Sequence, residues 1–111
     1  MTKTAHDVAE VTGLALNPWH PMTDPIDLKH LGKFGEELNE CGAAVSRCII
    51  QGIDEAEPVT GKVNKDWLED EIADVLAGAE LNMRRFNLDR DKIEKRKAKK
   101  MAHLSAWHKL A

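Results

Sequence analysis

Apolar residues recur through most of this chain at intervals of three and four, and prolines and glycines interrupt the series at two places. That spacing keeps one side of a helical turn apolar, so it predicts amphipathic helices. A first helix is expected from about Thr2 to Leu16, with Val8, Val11 and Leu14 or Ala15 on one face. The run Asn17-Pro18-Trp19-His20-Pro21 ends it, because proline has no amide to donate and clashes with the preceding turn. After a loop from Pro18 to Pro25, Asp24 can cap a second helix that carries Pro25 in its first position. Leu28, Leu31, Phe34, Leu38, Cys41, Val45, Cys48 and Ile49 hold the helical period down to about Ile50.

Gly52 to Asn64, with Gly52, Pro58 and Gly61 and little periodicity, is expected to be a surface loop. Asn64 or Asp66 can cap a third helix, with Trp67, Leu68, Ile72, Val75, Leu76, Ala79, Met83 and Phe86 as its buried stripe and Asn87 as its end. Past Asn87-Leu88-Asp89, Asp89 can cap a fourth helix, whose apolar positions Ile93, Ala98, Met101, Leu104 and Trp107 or His108 back a strongly basic outer face. Nothing reads as a strand. The expectation is an all-α, four-helix bundle forming a single domain over 1–111, with an N-terminal helix and loop in 1–25 and core helices in 26–110.

With 111 residues and 42% hydrophobic content the core will be modest. Helices with wide apolar stripes in so small a chain are expected to finish burying them against another copy, so a homo-oligomer, dimer or tetramer, is anticipated. The formal charge of -3 gives no overall attraction to nucleic acid, although Lys92 to Lys100 is locally basic. No apolar run approaches the ~20 residues that span a bilayer. The N-terminal HDVAEV does not resemble a signal-peptide core, so the chain reads as soluble and cytoplasmic, in a bacterium or a phage-infected host. Cys41 and Cys48 stand two turns apart on one face, too far for a mutual disulfide, and are expected to be reduced core residues.

The chemistry lies in five acidic residues: Glu36, Glu37 and Glu40 in the second helix, Glu71 and Asp74 in the third. Three- and four-residue spacings make these side chains neighbours at the margin of the apolar stripes. If the two helices pack antiparallel, carboxylates converge from facing helices, which is how bundles build metal sites. A hard cation such as Mg²⁺, which prefers carboxylates and completes its shell with water and phosphate, makes that crowding favourable. A single acidic pair on a helix is usually just a solvated face; two clusters bordering the same seam are more specific.

Lys33-Phe34-Gly35-Glu36-Glu37-Leu38-Asn39-Glu40, followed by Glu71-Ile72-Ala73-Asp74-Val75, resembles the KxxEExxE and ExxD motifs of the MazG-like all-α nucleoside triphosphate pyrophosphohydrolases. The resemblance spans most of 28–110. It implies a four-helix core that binds Mg²⁺, with Mn²⁺ as a substitute, and cleaves a nucleoside triphosphate between its α- and β-phosphates. By motif position Glu37, Glu40, Glu71 and Asp74 would hold metal, Glu36 would orient or deprotonate the attacking water, and Lys33 would meet a phosphate. Lys97 and Lys100 in the basic helix are further candidates for phosphate contact, and Trp19 for an edge of the nucleobase pocket.

This sequence departs from the family pattern in two places. The 30 residues between Glu40 and Glu71 exceed the usual spacing, so the Gly52 to Asn64 loop reads as an insertion. The last helix reads KIEKRKAKKMAHLSAW where many relatives carry an Asn and an Arg at set places. His6, His20, His30, His103 and His108 form no ExxH pairing with the acidic motifs, which argues against a ferritin-like di-iron site. Two alternatives stay open: the same fold acting on phosphoribosyl-ATP or a modified nucleotide, and a non-enzymatic helical module whose basic helix binds nucleic acid or a partner.

Overall fold

The computed structural model describes residues 18–108, and three helices make up its regular structure: α1 (Pro25–Gln51), α2 (Asn64–Arg85) and α3 (Arg90–His108). The helix expected at 2–16 lies outside the described residues. No strand forms among the described residues; one isolated antiparallel bridge, Ala56 with Val63, closes the α1–α2 loop.

The start of α1 follows from its sequence. Asp24 Oδ1 accepts from the amides of Ile26 at 2.8 Å and Asp27 at 3.1 Å, satisfying two donors that a helix start leaves unpaired, while Pro25 sits where no donor is needed. Those bonds, and Arg85 nearby, hold the Asp24 carboxyl below the usual carboxylate range. The helix stops at Gly52, whose φ of 104° only glycine adopts readily.

At the start of α2 the expected caps are not the caps. Val63 holds the N-cap position without a side-chain bond, and Asn64 and Asp66 lie within the first turn. Asn64 is buried instead, its Nδ2 donating to Gln51 Oε1 and to Gly52 O, both at 3.0 Å. The side chain that would have capped α2 ties it to the end of α1. Asn87, with φ 48°, ends α2 as expected, since asparagine tolerates the left-handed region. Asp89 caps α3 as expected, its Oδ1 accepting from Lys92 N at 3.0 Å.

α1 and α2 pack antiparallel, and one register runs along them. Arg85 meets Asp27, Asn82 meets His30, and Gly78 meets the Phe34 ring. The interface is narrow, and among the described residues Ala44 is the one fully buried apolar residue, at 1% exposure. Ile72 and Leu76, expected in the buried stripe of α2, are exposed, as are Leu28, Leu31, Leu38, Val45 and Ile49 of α1. Two antiparallel helices cover only a seam of each other, and these stripes are wider than a seam.

α3 makes little contact with either helix and buries none of its residues. Ile93 is half-buried, while Met101, Leu104 and Trp107 are exposed, so Trp107 is not the core residue its sequence suggested. Trp67 is half-buried between two cations, Lys62 at 4.2 Å and Arg47 at 5.4 Å from its ring. Cys41 and Cys48 are free and half-buried.

Candidate metal centre

The antiparallel register sets Glu37 of α1 opposite Glu71 and Asp74, which lie one turn apart on α2. One ligand atom from each of the three falls within 4.8 Å of the others. Glu37 and Glu71 are half-buried at the margin of the interface and Asp74 is exposed beside them.

Two oxygens of this trio, Glu37 Oε2 and Glu71 Oε2, are closed off from solvent and have no hydrogen-bond partner. A carboxylate oxygen in that position is costly unless something positive meets it. The cost registers at Glu71, whose carboxyl is pushed above the usual glutamate value, first by burial and then by the charges of Glu40, Asp74, Glu37 and Asp70. All donors are hard oxygens, with no Cys or His in the group, a set that suits Mg²⁺, Mn²⁺ or Ca²⁺ rather than Zn²⁺. The residues present fit a divalent cation.

The other acidic candidates stand around the trio. Glu40 is exposed on α1 outside it, yet it is the charge that acts most on Glu71. Glu36 is exposed and lies 3.5 Å from Lys33 Nζ. Lys33 also reaches Glu37 Oε1 at 3.1 Å, and that hydrogen bond is the main reason its ammonium holds its proton more tightly than usual. Lys33 thus offsets part of the acidic charge and stands one turn from the trio.

Beside the trio, α1 and α2 part to leave a cavity of about 420 Å³. Glu37 and Asp74 line it, with Lys29, Lys33, Phe34, Gly78 and Asn82. Lys29, Gly78 and Asn82 were not singled out in the sequence. A signal for two of them was present: Asp74, Gly78 and Asn82 follow one another at four-residue spacing, a single row along α2 leading away from the acids.

The remaining substrate candidates are not gathered here. Trp19 is 70% exposed in the segment before α1, and it does not line the cavity. Lys97 is engaged with Glu94 on α3 at 2.9 Å, and Lys100 is exposed on the same helix; neither lines the cavity. Comparison of the chain with protein-family models, with curated proteins and with solved structures gives no match.

Proposed function

We infer that this protein is a Mg²⁺-dependent nucleoside triphosphate pyrophosphohydrolase of MazG-like type, converting a (d)NTP and water to the nucleoside monophosphate and pyrophosphate. The observation that carries this reading is the convergence of Glu37, Glu71 and Asp74 from two helices, with two buried carboxylate oxygens left unpartnered. Glu37, Glu71 and Asp74 would hold the cation, with Glu40 at its outer side. When bound, Mg²⁺ neutralises the phosphate oxygens and draws charge from the α-phosphorus.

The chain's own residues carry the rest. Lys33, already poised on Glu37, offers an ammonium to a phosphate oxygen in exchange for a carboxylate. Glu36, outside the trio and open to solvent, accepts the proton of the water whose oxygen bonds to the α-phosphorus. The bond from that phosphorus to the bridging oxygen breaks, and pyrophosphate leaves with the pair.

A second copy of the chain belongs to the same proposal. The exposed apolar stripes of α1, α2 and α3 supply the face it would cover. A four-helix core would then be assembled between copies.

The deciding experiment is pyrophosphate release from a panel of NTPs, dNTPs and phosphoribosyl-ATP with Mg²⁺, beside Glu71→Gln and a metal-free control. Release that disappears in both controls supports the reading. Turnover of phosphoribosyl-ATP alone moves the substrate and keeps the site. No turnover, together with salt-sensitive binding of DNA, favours the alternative in which the exposed Lys and Arg of α3 serve a nucleic-acid-binding module.

A further inference from the structure

We propose that one face of α3 binds single-stranded nucleic acid, with Lys92, Arg96, Lys99 and Lys100 following its phosphates and Trp107 stacking on a base. The proposal does not depend on the acidic trio or on the reaction assigned to it.

The face follows from helical spacing. At about 100° per residue, Lys92, Arg96, Lys99, Lys100, His103 and Trp107 fall on one side of α3, a row about 22 Å long at helical rise. The two acids of the helix, Asp91 and Glu94, fall on the other side. Lys97 also lies away from the row, and it is engaged there by Glu94 at 2.9 Å. Among the described residues no carboxylate pairs with Lys92, Arg96, Lys99 or Lys100. One side of a single helix thus carries a run of unneutralised cations, although the chain as a whole carries a formal charge of -3.

The surroundings leave this row open. α3 buries none of its residues, and Arg90 clasps Glu80 at its first turn, before the row begins. Trp107, at the far end, is 76% exposed. The His108 ring meets it edge-on, at 77° with centroids 4.2 Å apart, so a face of the indole stays free.

A cation at each turn attracts any polyanion, and the ring narrows the choice. A single strand offers phosphates and unpaired bases together, and proteins that hold one combine a basic track with stacking rings. A duplex keeps its bases stacked inside and gives Trp107 nothing to cover. A lipid surface calls for a broad apolar side, whereas Lys97 interrupts the apolar row of Ile93, Met101 and Leu104. Charges and a ring read neither sequence nor sugar, so DNA and RNA strands should bind alike.

The test is fluorescence anisotropy of the full chain with labelled oligothymidylate, oligouridylate and a DNA duplex of equal length, across a salt series. Both single strands should bind, with log K falling against log salt at a slope of about -3, the value for four phosphates met on a single strand. Lys99→Gln with Lys100→Gln should about halve that slope. Lys97→Gln, a loss of charge off the row, should leave it unchanged. Trp107→Ala should weaken both single strands about tenfold at an unchanged slope, and leave duplex binding as it was. All these positions are exposed, so the fold should tolerate each change. Glu71→Gln should bind the strands as the wild type does. No binding at low salt, a slope that falls with Lys97→Gln as steeply per charge as with the row, or single-strand binding indifferent to Trp107→Ala overturns the proposal. Strand binding without pyrophosphate release keeps this face and removes the reaction.

Discussion

Arg85 Nε donates to Asp27 Oδ1 at 2.7 Å, joining the last turn of α2 to the first turn of α1 across 58 positions of sequence. This pair, with Arg85 also 3.6 Å from Asp24, sets the register that brings Glu37 opposite Glu71 and Asp74. Both partners are partly exposed, so Arg85→Ala should cost about 0.5–1 kcal/mol, and less in high salt. Reversing the pair with Asp27→Arg and Arg85→Asp together should recover part of it. Urea unfolding in low and high salt checks this, and a loss independent of salt would mean that Arg85 acts through its stem instead.

Gly78 should reverse a familiar rule. In a helix interior Gly→Ala ordinarily gains up to about 1 kcal/mol. Here the added methyl meets the Phe34 ring at 2.8 Å, and separating the helices to admit it should give a net loss of about 1–2 kcal/mol. In a Phe34→Leu background the same substitution should return to neutral or stabilising. A stabilised Gly78→Ala in the wild-type background would show that the ring yields freely.

The helix boundaries were legible because local chemistry sets them: Asp24 with Pro25, Gly52, Asn87 and Asp89 each act on the backbone within a few residues. The acidic trio was legible for a related reason, since fixed helical spacing and one antiparallel packing suffice to bring Glu37, Glu71 and Asp74 together. Asn64 and Asn82 were not. Each looks like a polar surface or cap residue, and its burial is decided by carbonyls and an amide on the facing helix, His30 and Gly52 among them. The stripes of α1 and α2 were read correctly as apolar, but periodicity cannot say whether the chain itself or a second copy covers Leu38 or Leu76.

Glu71 should oppose folding until a cation arrives. Its raised carboxyl means that the folded chain binds this proton more tightly than the unfolded chain does. Metal-free stability should therefore fall as pH rises from the ordinary glutamate value through the raised one, and Mg²⁺ should reverse the trend by binding the ionised form. At neutral pH, Glu71→Gln should raise the metal-free Tm by a few degrees and abolish the stabilisation by Mg²⁺. Thermal melts across that pH range, with and without Mg²⁺, read both effects. A metal-free Tm that drops on substitution would falsify the account of a strained cluster.

Glu80 behaves in the opposite sense. A hydrogen bond from Arg90 chiefly, with Arg84 assisting, pulls its carboxyl down to about 2. Its contribution is complete above the ordinary glutamate value and is lost as pH falls from there towards about 2. Since Arg90 opens α3, the clasp also positions that helix. Glu80→Gln at neutral pH should speed amide exchange in the first turn of α3 and leave the α1–α2 seam protected. Unchanged exchange there would show that α3 is held by other means.

Leu76 distinguishes a free chain from an assembled one. It is 65% exposed beside the acidic residues of α2, and in an isolated chain Leu76→Lys should change stability by no more than about 0.5 kcal/mol. If a second copy covers the stripe, the same substitution buries a charge in an apolar interface, so the assembly should dissociate and, with so little core in each chain, unfold well below the wild-type Tm. Sedimentation should give the wild type a mass that is a multiple of 12.4 kDa, and the variant a smaller one. The wild-type Tm should also rise with protein concentration, because folding and association are then one equilibrium. A monomeric wild type whose Tm ignores both concentration and the Leu76 substitution would defeat the second copy, and with it the assembly of a four-helix core between chains.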